Sequence, residues 1–535
     1  TEAAFLPVLS AAAGQPTGSI RAMYVGPLKA LINDQFMRLE GLCLHADIPV
    51  HRWHGDVTAT AKKQFRESPA GVLLITPESL ESAFINYGNQ VARIFGGLEH
   101  VVIDELHSFV ADVRGVHLKS LIARLSQVIG KTPRLLGLSA TLADFQSARA
   151  FLDHDHPERV RVIEDEDGSR SIRVGIRAYP KPVPAPAEDD EKAKKATRLA
   201  ATALEAHRDL IAIAEGTTNW EPLDNDPFHF STLIHQTLSL LRQTGGCPAA
   251  RIHEVLVARG AFRGITQQQF ASVLRGLATR KMIEQVPTGE LILAPAGEGL
   301  THSKEFYAAF AGGADYSIRH DHQTLGKMPV ESVPPEGEHL LLNGRRWQVL
   351  MIDPRAMIVE VIPARGRKQP VFLGSGGLIH RRIVEGIRGQ LAGNLTPAYL
   401  HPDAAKLLEG ARTYANKFGI VDRPWLESSG NCLVFPWTGT KGMEALKLCA
   451  ELDGIEFEAR NLSINYKTDG EALRAHLGRV SERAFDPVSL AAALKERHRD
   501  KFDHLIPEDL LDLSNSRRSI SLEDAADAAM EILGK

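Results

Sequence analysis

The stretch that decides the fold is VVIDELHSF, residues 101–109, in which a short apolar run ends at Ile103 and two acidic residues come directly after it. Such a run is too short for a helix and is typical of a strand covered on both faces of a parallel sheet. Amphipathic sequence comes next, and from Arg21 to about Asp144 this alternation recurs, which predicts an α/β domain with a doubly wound parallel sheet. The other strands are predicted to end at Val25, Ile75 and Leu138, with one more closing in WHGD, residues 53–56.

Ligands of such sheets bind beyond the carboxyl ends of the strands, so the residues after each apolar run are the candidates for chemistry. Asp104 and Glu105 stand there. In a phosphoryl-transfer site one acid holds the Mg²⁺ shell and its neighbour polarises the attacking water; the alternative is that the two acids cap the next helix. The segment GLSATL brings the hydroxyls of Ser139 and Thr141 to a neighbouring strand end, and His107 is placed to couple the two segments unless it is merely structural.

Two further turns come after strands and begin helices: VGPLKALINDQ, residues 25–35, and ITPESLES, residues 75–82. A helix N-terminus presents backbone N–H groups that no helical carbonyl satisfies, and these groups bind phosphate oxygens. Both turns are therefore candidates for contact with phosphates, although helix capping alone would explain each one.

Taken in order, these two turns, WHGD, DELH and GLSATL resemble the motifs of the first motor domain of superfamily 2 helicases of the DEAD/DEAH type, here with the variant DELH. The resemblance implies a RecA-like domain that uses ATP and Mg²⁺ to translocate along a single strand, typically 3′-to-5′, on DNA or DNA–RNA duplexes in repair-related processes. Three later segments resemble the large helicase-related (Lhr) family: WEPLDNDPFHFSTLIHQTLSLL at 220–241, LLNGRRWQVLMID at 341–353 and FPWTGTKG at 435–442.

The resemblance also implies a role for individual residues. Asp104 and Glu105 are expected to be the Mg²⁺ and water-activating acids that also bind the cofactor, with His107 beside them, and Ser139 to Thr141 to couple hydrolysis to strand movement. The residues implied to contact the nucleic-acid backbone are Pro27 to Ala30, Lys29 among them, and Thr76, Pro77 and Glu78.

The sequence departs from the family pattern in two places. It contains no phosphate loop of the form GxxxxGK[ST], and GTKG at 439–442 lacks the spacing to replace it. TEAAFLPVLS resembles the helix that comes after that loop in the family, so Thr1 is expected to be the last residue of the loop and a ligand of ATP and Mg²⁺. A second motor domain with its QxxGRxGR-like segment is also missing, and its arginine accounts for a factor of about 10³ to 10⁵ in rate. Either parts of a longer protein lie outside this sequence, which a start inside a helix favours, or the protein is a naturally reduced relative.

Downstream composition predicts several further domains. Pro180, Pro182, Pro184 and Pro186 form an extended linker, and a long helix is expected from Ala196 to Ile213. Three helical segments and a hairpin predict a winged helix, and alternating apolar runs predict a small antiparallel barrel. The predicted domains are residues 1–180 (first RecA-like motor domain), 181–230 (linker and connecting helix), 231–302 (winged helix), 303–390 (β-barrel-like domain) and 391–535 (C-terminal α+β domain).

The winged helix and the barrel offer further candidate nucleic-acid contacts. In the third helix of the winged helix, Gln267, Gln268 and Arg275 lie near one face, with Arg280 and Lys281 at its end, so this helix reads duplex or serves as a brace. The barrel carries Arg345, Arg346 and Trp347 together, then Arg365, Arg367 and Lys368, and basic residues beside an aromatic ring suit stacking plus phosphate contact. The alternative is a buried Trp347 with solvated arginines.

Composition excludes several classes of protein. The 535 residues are 44 % hydrophobic and 24 % charged, which excludes a disordered, collagen-like or membrane protein. The net charge of −4 and the pI near 6.6 argue against a chain that coats nucleic acid through bulk charge. The four cysteines are far apart, so buried free thiols are expected rather than a metal site or disulfides. The absence of a secretion signal and of a long apolar segment predicts a cytoplasmic protein with no membrane partner.

The sequence thus supports two hypotheses. The first is an ATP- and Mg²⁺-dependent helicase or translocase whose partners are single-stranded or forked DNA, with DNA–RNA hybrids as further candidates. The second is a non-hydrolysing nucleic-acid-binding scaffold with a vestigial half-motor.

Overall fold

The computed structural model of the protein describes sixteen stretches of the chain, which fall into two compact units, Thr1–Phe310 with His380–Lys535 and Ala311–Ile379. The predicted linker, the predicted helix from Ala196 to Ile213 and the loop with Arg365, Arg367 and Lys368 lie outside the described residues. The described residues are 2–14, 18–110, 112–139, 142, 145–164, 175, 228–310, 315–321, 323–329, 332–342, 345–354, 356–364, 378–423, 425–428, 430–460 and 462–534.

The N-terminal part of the first unit alternates strands and helices as predicted. All neighbouring strands of its sheet run parallel in the order β2-β3-β1-β4-β5, and every predicted strand is present. The elements are α1 (Glu2–Ala12), β1 (Ala22–Val25), α2 (Lys29–Cys43), β2 (Val50–Trp53), α3 (Ala59–Glu67), β3 (Val72–Ile75), α4 (Pro77–Phe95), β4 (His100–Ile103), α5 (His107–Val110), α6 (Val113–Ile129), β5 (Arg134–Gly137) and α7 (Phe145–Leu152).

The inner strands β1, β3 and β4 are apolar at nearly every position because helices cover both faces of the sheet. In β1, Met23 and Val25 enter one core with side chains of α4 and α6, while Ala22 and Tyr24 enter the other with side chains of α1 and α2. Alternate residues of each strand therefore point into opposite cores, as expected for a doubly wound α/β sheet.

The strands end in register at one edge of the sheet. Val25 lies opposite both Ile75 and Ile103, and Ile103 lies opposite Gly137. The first polar residues after these strands therefore meet at the same carboxyl edge, which is where ligands of such sheets bind.

Residues 230–310 have the predicted order of three helices and a hairpin. The first helix is buried along most of its length, from Phe230 to Leu241, because it packs against α4 and α6 as well as against its own neighbours. The elements are α8 (Phe230–Thr244), β6 (Cys247–Pro248), α9 (Ala249–His253) continued by a π-helical turn (Glu254–Ala258), α10 (Gln267–Thr279), β7 (Ile283–Gln285), β8 (Glu290–Leu293) and α11 (Pro295–His302).

The second unit is a five-stranded sheet in the order β10-β9-β13-β12-β11. It differs from the predicted antiparallel barrel in one pairing, because β13 runs parallel to β9 where the last strand lies beside the first. Within the described residues, no ladder joins the outer strands β10 and β11. The strands are β9 (Asp315–His320), β10 (Gln323–Pro329), β11 (His339–Leu342), β12 (Arg345–Asp353) and β13 (Ile358–Pro363).

The C-terminal part of the chain has an antiparallel sheet, β14-β15-β17-β16, with helices packed against it. IEFEARNLSINY, predicted as one strand, is a hairpin of two short strands. The segment before and within α17 belongs to another core, because Phe502, Ile506 and Leu511 pack with side chains of residues 230–306. The elements are α12 (Arg381–Ala392), α13 (Pro402–Phe418), β14 (Trp425–Ser428), β15 (Asn431–Val434), α14 (Thr440–Leu452), β16 (Phe457–Ala459), β17 (Ile464–Tyr466), α15 (Gly470–Ser481), α16 (Pro487–Ala492), α17 (Glu508–Arg518) and α18 (Leu522–Leu533).

Two structural features bear on the predictions made from composition. All four cysteines are buried free thiols, as expected. Among the described helices, none is both long enough and apolar enough to cross a membrane.

Candidate active site and nucleic-acid interface

Asp104 is held at the carboxyl end of β4 by three hydrogen bonds. Its backbone N–H donates to the carbonyl oxygen of Val25 at 3.0 Å, and its Oδ1 accepts from the backbone N–H of Glu105 at 3.0 Å. The hydroxyl of Tyr24, which is fully buried, donates to Oδ2 at 2.5 Å. Burial and the adjacent carboxylate of Asp104 raise the pKa of Tyr24 far above its usual value, so the phenol stays a proton donor. Tyr24 thereby orients the acid, a contact that its position in an apolar run gave no reason to expect.

Glu105 is turned out of the strand by an unusual backbone conformation. Its φ is +49°, in the left-handed region, which costs a non-glycine residue about 1–2 kcal/mol. The backbone N–H of Leu106 donates to the carbonyl oxygen of Leu138 at 2.8 Å, and the hydroxyl of Ser108 donates to the carbonyl oxygen of Glu105 at 2.8 Å. These bonds fix the turn, and the Glu105 side chain remains 35 % exposed at the sheet edge. Strain that neighbouring contacts maintain in this way is common at functional sites.

His107 connects Glu105 with the neighbouring strand end, as the sequence predicts. Its Nδ1 lies 2.9 Å from the hydroxyl oxygen of Ser139 and 3.4 Å from a carboxylate oxygen of Glu105. The structure thus brings together four of the predicted catalytic residues, Asp104, Glu105, His107 and Ser139. Thr1 and Thr141 lie outside the described residues.

The two turns predicted to contact phosphates are joined by Arg114, which sequence reasoning missed. Its guanidinium binds both carboxylate oxygens of Glu78, at 2.7 and 2.9 Å, and also donates to the carbonyl oxygen of Pro27. Burial alone would raise the pKa of Glu78, but the charge of Arg114 and these hydrogen bonds hold it below its usual value. Arg114 therefore fixes the spacing of the two turns, and no sequence motif pointed to it.

Most side chains that are predicted to contact the nucleic-acid backbone are buried or hydrogen-bonded within the protein. Thr76 is the buried N-cap of α4, its Oγ1 accepting from the backbone N–H of Ser79 at 3.3 Å, and Pro77 is the buried first residue of that helix. Glu78 is engaged by Arg114 and Pro27 is buried, so these four side chains position the turns rather than offer free donors.

Among the polar side chains predicted to contact the backbone, that of Lys29 is exposed, although it is paired with Asp56. Lys29 begins α2, whose first turn has no side-chain cap, and its side chain is 52 % exposed. The ammonium nitrogen lies 2.9 Å from Asp56 of WHGD in the exposed rim of the sheet edge. Free helical N–H groups beside an exposed ammonium are suited to a phosphate.

The predicted contacts outside the motor fall in two different environments. Arg275 is exposed on α10, and so are Arg345 and Arg346 on β12. Trp347, however, is only 6 % exposed, packs against the ring of His320 and donates its indole N–H to the carbonyl oxygen of Leu342 at 3.3 Å. The proposed stacking of Trp347 on a base is therefore wrong, because its ring faces fill the core of the second unit.

Helix α10 is partly covered by the C-terminal segment. Gly276 lies against the ring of Pro507, and the guanidinium of Arg280 donates to the carbonyl oxygen of Ile506 at 3.4 Å. Gln267 and Gln268, at the other end of the helix, are exposed. This arrangement favours the brace among the two roles considered for α10.

A completely buried polar network, which no sequence pattern indicated, joins α4 and α6 to α8. The carboxylate of Glu81 accepts hydrogen bonds from His117 at 2.7 Å, Arg124 at 3.1 Å, Gln236 at 2.5 Å, and also from the hydroxyl of Ser239. Burial alone would raise the pKa of Glu81, but the charge of Arg124 and the bond from His117 hold it well below its usual value. The carboxylate is therefore ionised and all of its acceptor positions are used.

Three members of this region, Glu81, His117 and His235, lie close enough together to suggest a metal site. Their hydrogen bonds fit a different role. His235 is held between the carbonyl oxygen of Phe306 at 2.6 Å and the side chain of Gln236 at 3.1 Å, and burial lowers its pKa to about 3, so it is neutral. The guanidinium of Arg124 already supplies the positive charge beside Glu81, and a cation would have to displace these donors. The group is a structural ion-pair network.

Comparison with known proteins agrees with the geometry of the sheet edge. Residues 1–148 match the DEAD/DEAH box helicase family. Over 152 residues the chain is 30 % identical to the "Lhr helicase/uracil glycosylase" of Escherichia coli, a match that covers 26 % of this chain and 10 % of that protein. Over 168 residues it is 30 % identical to the "ATP-dependent helicase Lhr-Core" of Methanothermobacter thermautotrophicus, covering 28 % of this chain and 19 % of that protein. The matched stretch thus spans only a tenth to a fifth of these curated relatives.

A solved structure extends the similarity of fold to the whole chain. The structure of Mycobacterium smegmatis helicase Lhr bound to ssDNA and AMP-PNP superposes with a TM-score of 0.56 at 15 % identity, covering 100 % of this chain and 90 % of that one. The RecA-like sheet and the sheets after it are consistent with this fold. Residues 1–148 thus match the DEAD/DEAH box helicase family, and the chain is similar to helicases of the Lhr type.

Proposed function

We propose that this protein is an ATP- and Mg²⁺-dependent helicase or translocase that acts on single-stranded and forked DNA or on DNA–RNA hybrids. The observation that carries the proposal is the pair Asp104 and Glu105 at the carboxyl edge of the parallel sheet, with His107 and Ser139 bonded beside them. A 3′-to-5′ direction, a cytoplasmic location and a repair-related role are supported only by the family resemblance and the composition.

The residues at the sheet edge fit a magnesium ion. Carboxylate oxygens are the ligands that Mg²⁺ prefers, and Asp104 is held in place by Tyr24 with its carboxylate at the partly open edge. We propose that Asp104 binds the ion or its water shell, while the ion neutralises charge on the transferring phosphate when bound. Thr1 is proposed as a further ligand from its place in the family motif.

Glu105 and His107 then have distinct proposed tasks. The left-handed backbone directs the Glu105 carboxylate away from the strand, where it can accept a proton from an attacking water. His107 contacts both Glu105 and Ser139, so a movement of the segment after β5 changes the position of the acid. We propose that this contact, together with Thr141, transmits the state of the nucleotide.

Hydrolysis by the purified product of the complete gene tests this proposal. We expect ATP hydrolysis stimulated by single-stranded DNA, and Glu105→Gln should reduce it by about 10² to 10⁴-fold because the water loses its proton acceptor. Glu99→Gln is the matched control, since Glu99 lies at the opposite end of β4, is 40 % exposed and pairs with Arg21 at 3.7 Å. Absence of hydrolysis, combined with salt-sensitive binding of a single strand, would instead favour the non-hydrolysing scaffold.

We propose Lys29 and the first turn of α2 as the phosphate contact in this domain, with Arg114 holding the two turns in place. Lys29→Gln should lower the salt dependence of single-strand binding by about 0.7 in slope, the effect of losing one phosphate contact. Lys63→Gln is the control, because Lys63 is 70 % exposed on α3 and pairs only weakly with Glu67 at 3.8 Å. An unchanged slope for Lys29→Gln would exclude this contact.

The remaining domains are assigned as proposals. We propose residues 231–302 as a winged helix that braces the motor domain, residues 303–390 as a barrel-like module and residues 391–535 as an α+β domain. Arg275, Arg345 and Arg346 remain candidate phosphate contacts because they are exposed.

A further inference from the structure

The C-terminal part of the first unit contains a cavity of about 240 Å³ that the motor chemistry does not use. It lies where α12, the end of α13, the start of β14 and the end of α18 meet. One of its walls is the FPW of FPWTGTKG, the segment that resembles the Lhr family but carries no role in the sheet-edge site. The aromatic and basic side chains that line it are Trp425, Phe435, Trp437, Arg388, Arg423 and Arg474.

The aromatic wall is rigidly held. Phe435 and Trp437 are buried, at 4 % and 7 % exposed, and their rings are stacked with centroids 6.1 Å apart. Trp437 has a φ of +48°, a conformation that a bulky residue adopts only when its surroundings enforce it. Trp425, at the other side, is half-buried. The cavity therefore has a rigid aromatic wall, and Trp425 is its accessible ring.

The arginines of the cavity differ in whether their charge is already balanced. Arg388 binds Glu531 and donates to the carbonyl oxygen of Val421 at 2.8 Å, so its charge is compensated. The guanidinium of Arg474 lies 5.0 Å from the ring centroid of Trp425. Among the described residues, no carboxylate lies within salt-bridge distance of Arg474 or Arg423. The acidic residues of the lining are Asp422 and Glu531, and Glu531 is paired with Arg388. Arg423 and Arg474 thus stand beside the aromatic wall with capacity to bind an anion.

We propose that this cavity binds one nucleotide of a single strand, with its base against the partly exposed ring of Trp425 and its phosphate at Arg423 and Arg474. Aromatic rings take any base through stacking, and guanidinium groups suit phosphate oxygens. The volume is below the roughly 300–1,000 Å³ typical of pockets for larger ligands, so it suits a group about the size of one base. The inference rests on the proposed action on single-stranded nucleic acid, and it adds a second point of contact remote from the sheet edge.

Binding of two short strands by the complete protein tests the proposal: oligothymidylate, and an abasic strand of the same length. We expect the wild type to prefer the strand with bases, and Trp425→Leu to reduce that preference about 5- to 150-fold while leaving the abasic strand unaffected, because one stacked base is lost. Arg474→Gln, at an exposed position that does not threaten folding, should weaken both strands and lower the salt slope by about 0.7.

Arg483→Gln is the matched control, since Arg483 is 53 % exposed beyond the end of α15 and outside the cavity. If Trp425→Leu keeps the full preference for bases and Arg474→Gln binds like Arg483→Gln, the nucleotide pocket is refuted and the cavity would suit an acidic, aromatic peptide instead. If single-stranded DNA stimulates hydrolysis and both variants bind the two strands as the wild type does, the nucleotide pocket is overturned and the helicase function stands. Loss of binding in both variants without any hydrolysis would overturn the helicase function and leave the pocket standing.

Discussion

Replacement of Glu81 by glutamine should destabilise the protein far more than the change of one atom suggests. Glu81→Gln keeps the shape of the side chain but removes the carboxylate that balances the guanidinium of Arg124, which is 1 % exposed. It also turns one acceptor oxygen into a donor that faces two existing donors, either His117 and Gln236 at Oε2 or Arg124 and Ser239 at Oε1. Removing one partner of a buried ion pair costs about 3–5 kcal/mol, so we expect the free energy of unfolding to fall by that amount.

Urea unfolding and hydrogen exchange together measure this effect. The loss should appear first as faster amide exchange in α4, α6 and α8, which the network joins, while the C-terminal sheet and its helices keep their protection. Glu67→Gln is the matched control, because Glu67 is 64 % exposed and pairs with Lys63 at 3.8 Å. Exposed pairs of this kind contribute about 0.2–1 kcal/mol at most.

The double variant Glu81→Leu with Arg124→Leu separates the charge from the packing. Because no buried charge is left unpaired, it should be less destabilised than Glu81→Gln despite two substitutions. The reasoning is refuted if Glu81→Gln unfolds at the same urea concentration as Glu67→Gln, or if the double variant is the least stable of the three.

Particular contacts support three further predictions. Gly115→Ala would place a Cβ atom 1.6 Å from the carbonyl oxygen of Phe109, so thermal unfolding should show a loss of about 3 kcal/mol or more in the free energy of unfolding. The control is Gly299→Ala, whose Cβ meets open space in α11 and which should be neutral or stabilise the protein by about 0.5–1 kcal/mol. His235 has a pKa of about 3 when folded and about 6.5 when unfolded, so between these values the unfolded chain binds a proton that the folded chain does not. The free energy of unfolding should therefore decrease by about 1.4 kcal/mol for each pH unit by which the pH is lowered from 6.5 towards the folded pKa. Urea unfolding of His235→Gln should lack this contribution. A thiol reagent should label no cysteine of the folded protein and all of them in urea, since burial raises the pKa of each thiol; rapid labelling before unfolding would contradict this burial. The cysteines are Cys43, Cys247, Cys432 and Cys449.

The parallel sheet was predictable because its strands are covered on both faces. Continuous apolar runs specify such strands without help from the rest of the chain, and the register of a parallel sheet then brings their ends together. Asp104, Glu105, His107 and Ser139 could be assigned to one site for that reason alone. The bond from Tyr24 to Asp104 could not be, because a tyrosine in an apolar run gives no indication of where its hydroxyl points.

The burial of Trp347 could have been predicted from the sequence. Along β12 the side chains alternate, so Trp347 and Val349 point into the core while the residues between and before them point outward. This alternation with a period of two predicts burial of the tryptophan more strongly than the neighbouring arginines predict stacking on a base. The two arginines, on the exposed part of the strand, keep their proposed contact with phosphate.

The buried network bears on how the proposed motor would transmit movement. Helix α4 begins at the turn that Arg114 ties to the neighbouring phosphate-contact turn, and Glu81 lies one turn further along the same helix. From Glu81 the ion pair with Arg124 and the bond from Gln236 continue into α8, 155 positions away in the sequence. A packed, hydrogen-bonded contact moves as a body rather than deforming gradually. The residues that begin with α8 are therefore expected to move together with the parallel-sheet domain. In the proposed motor, the two turns that are proposed to contact phosphates would then drive that movement.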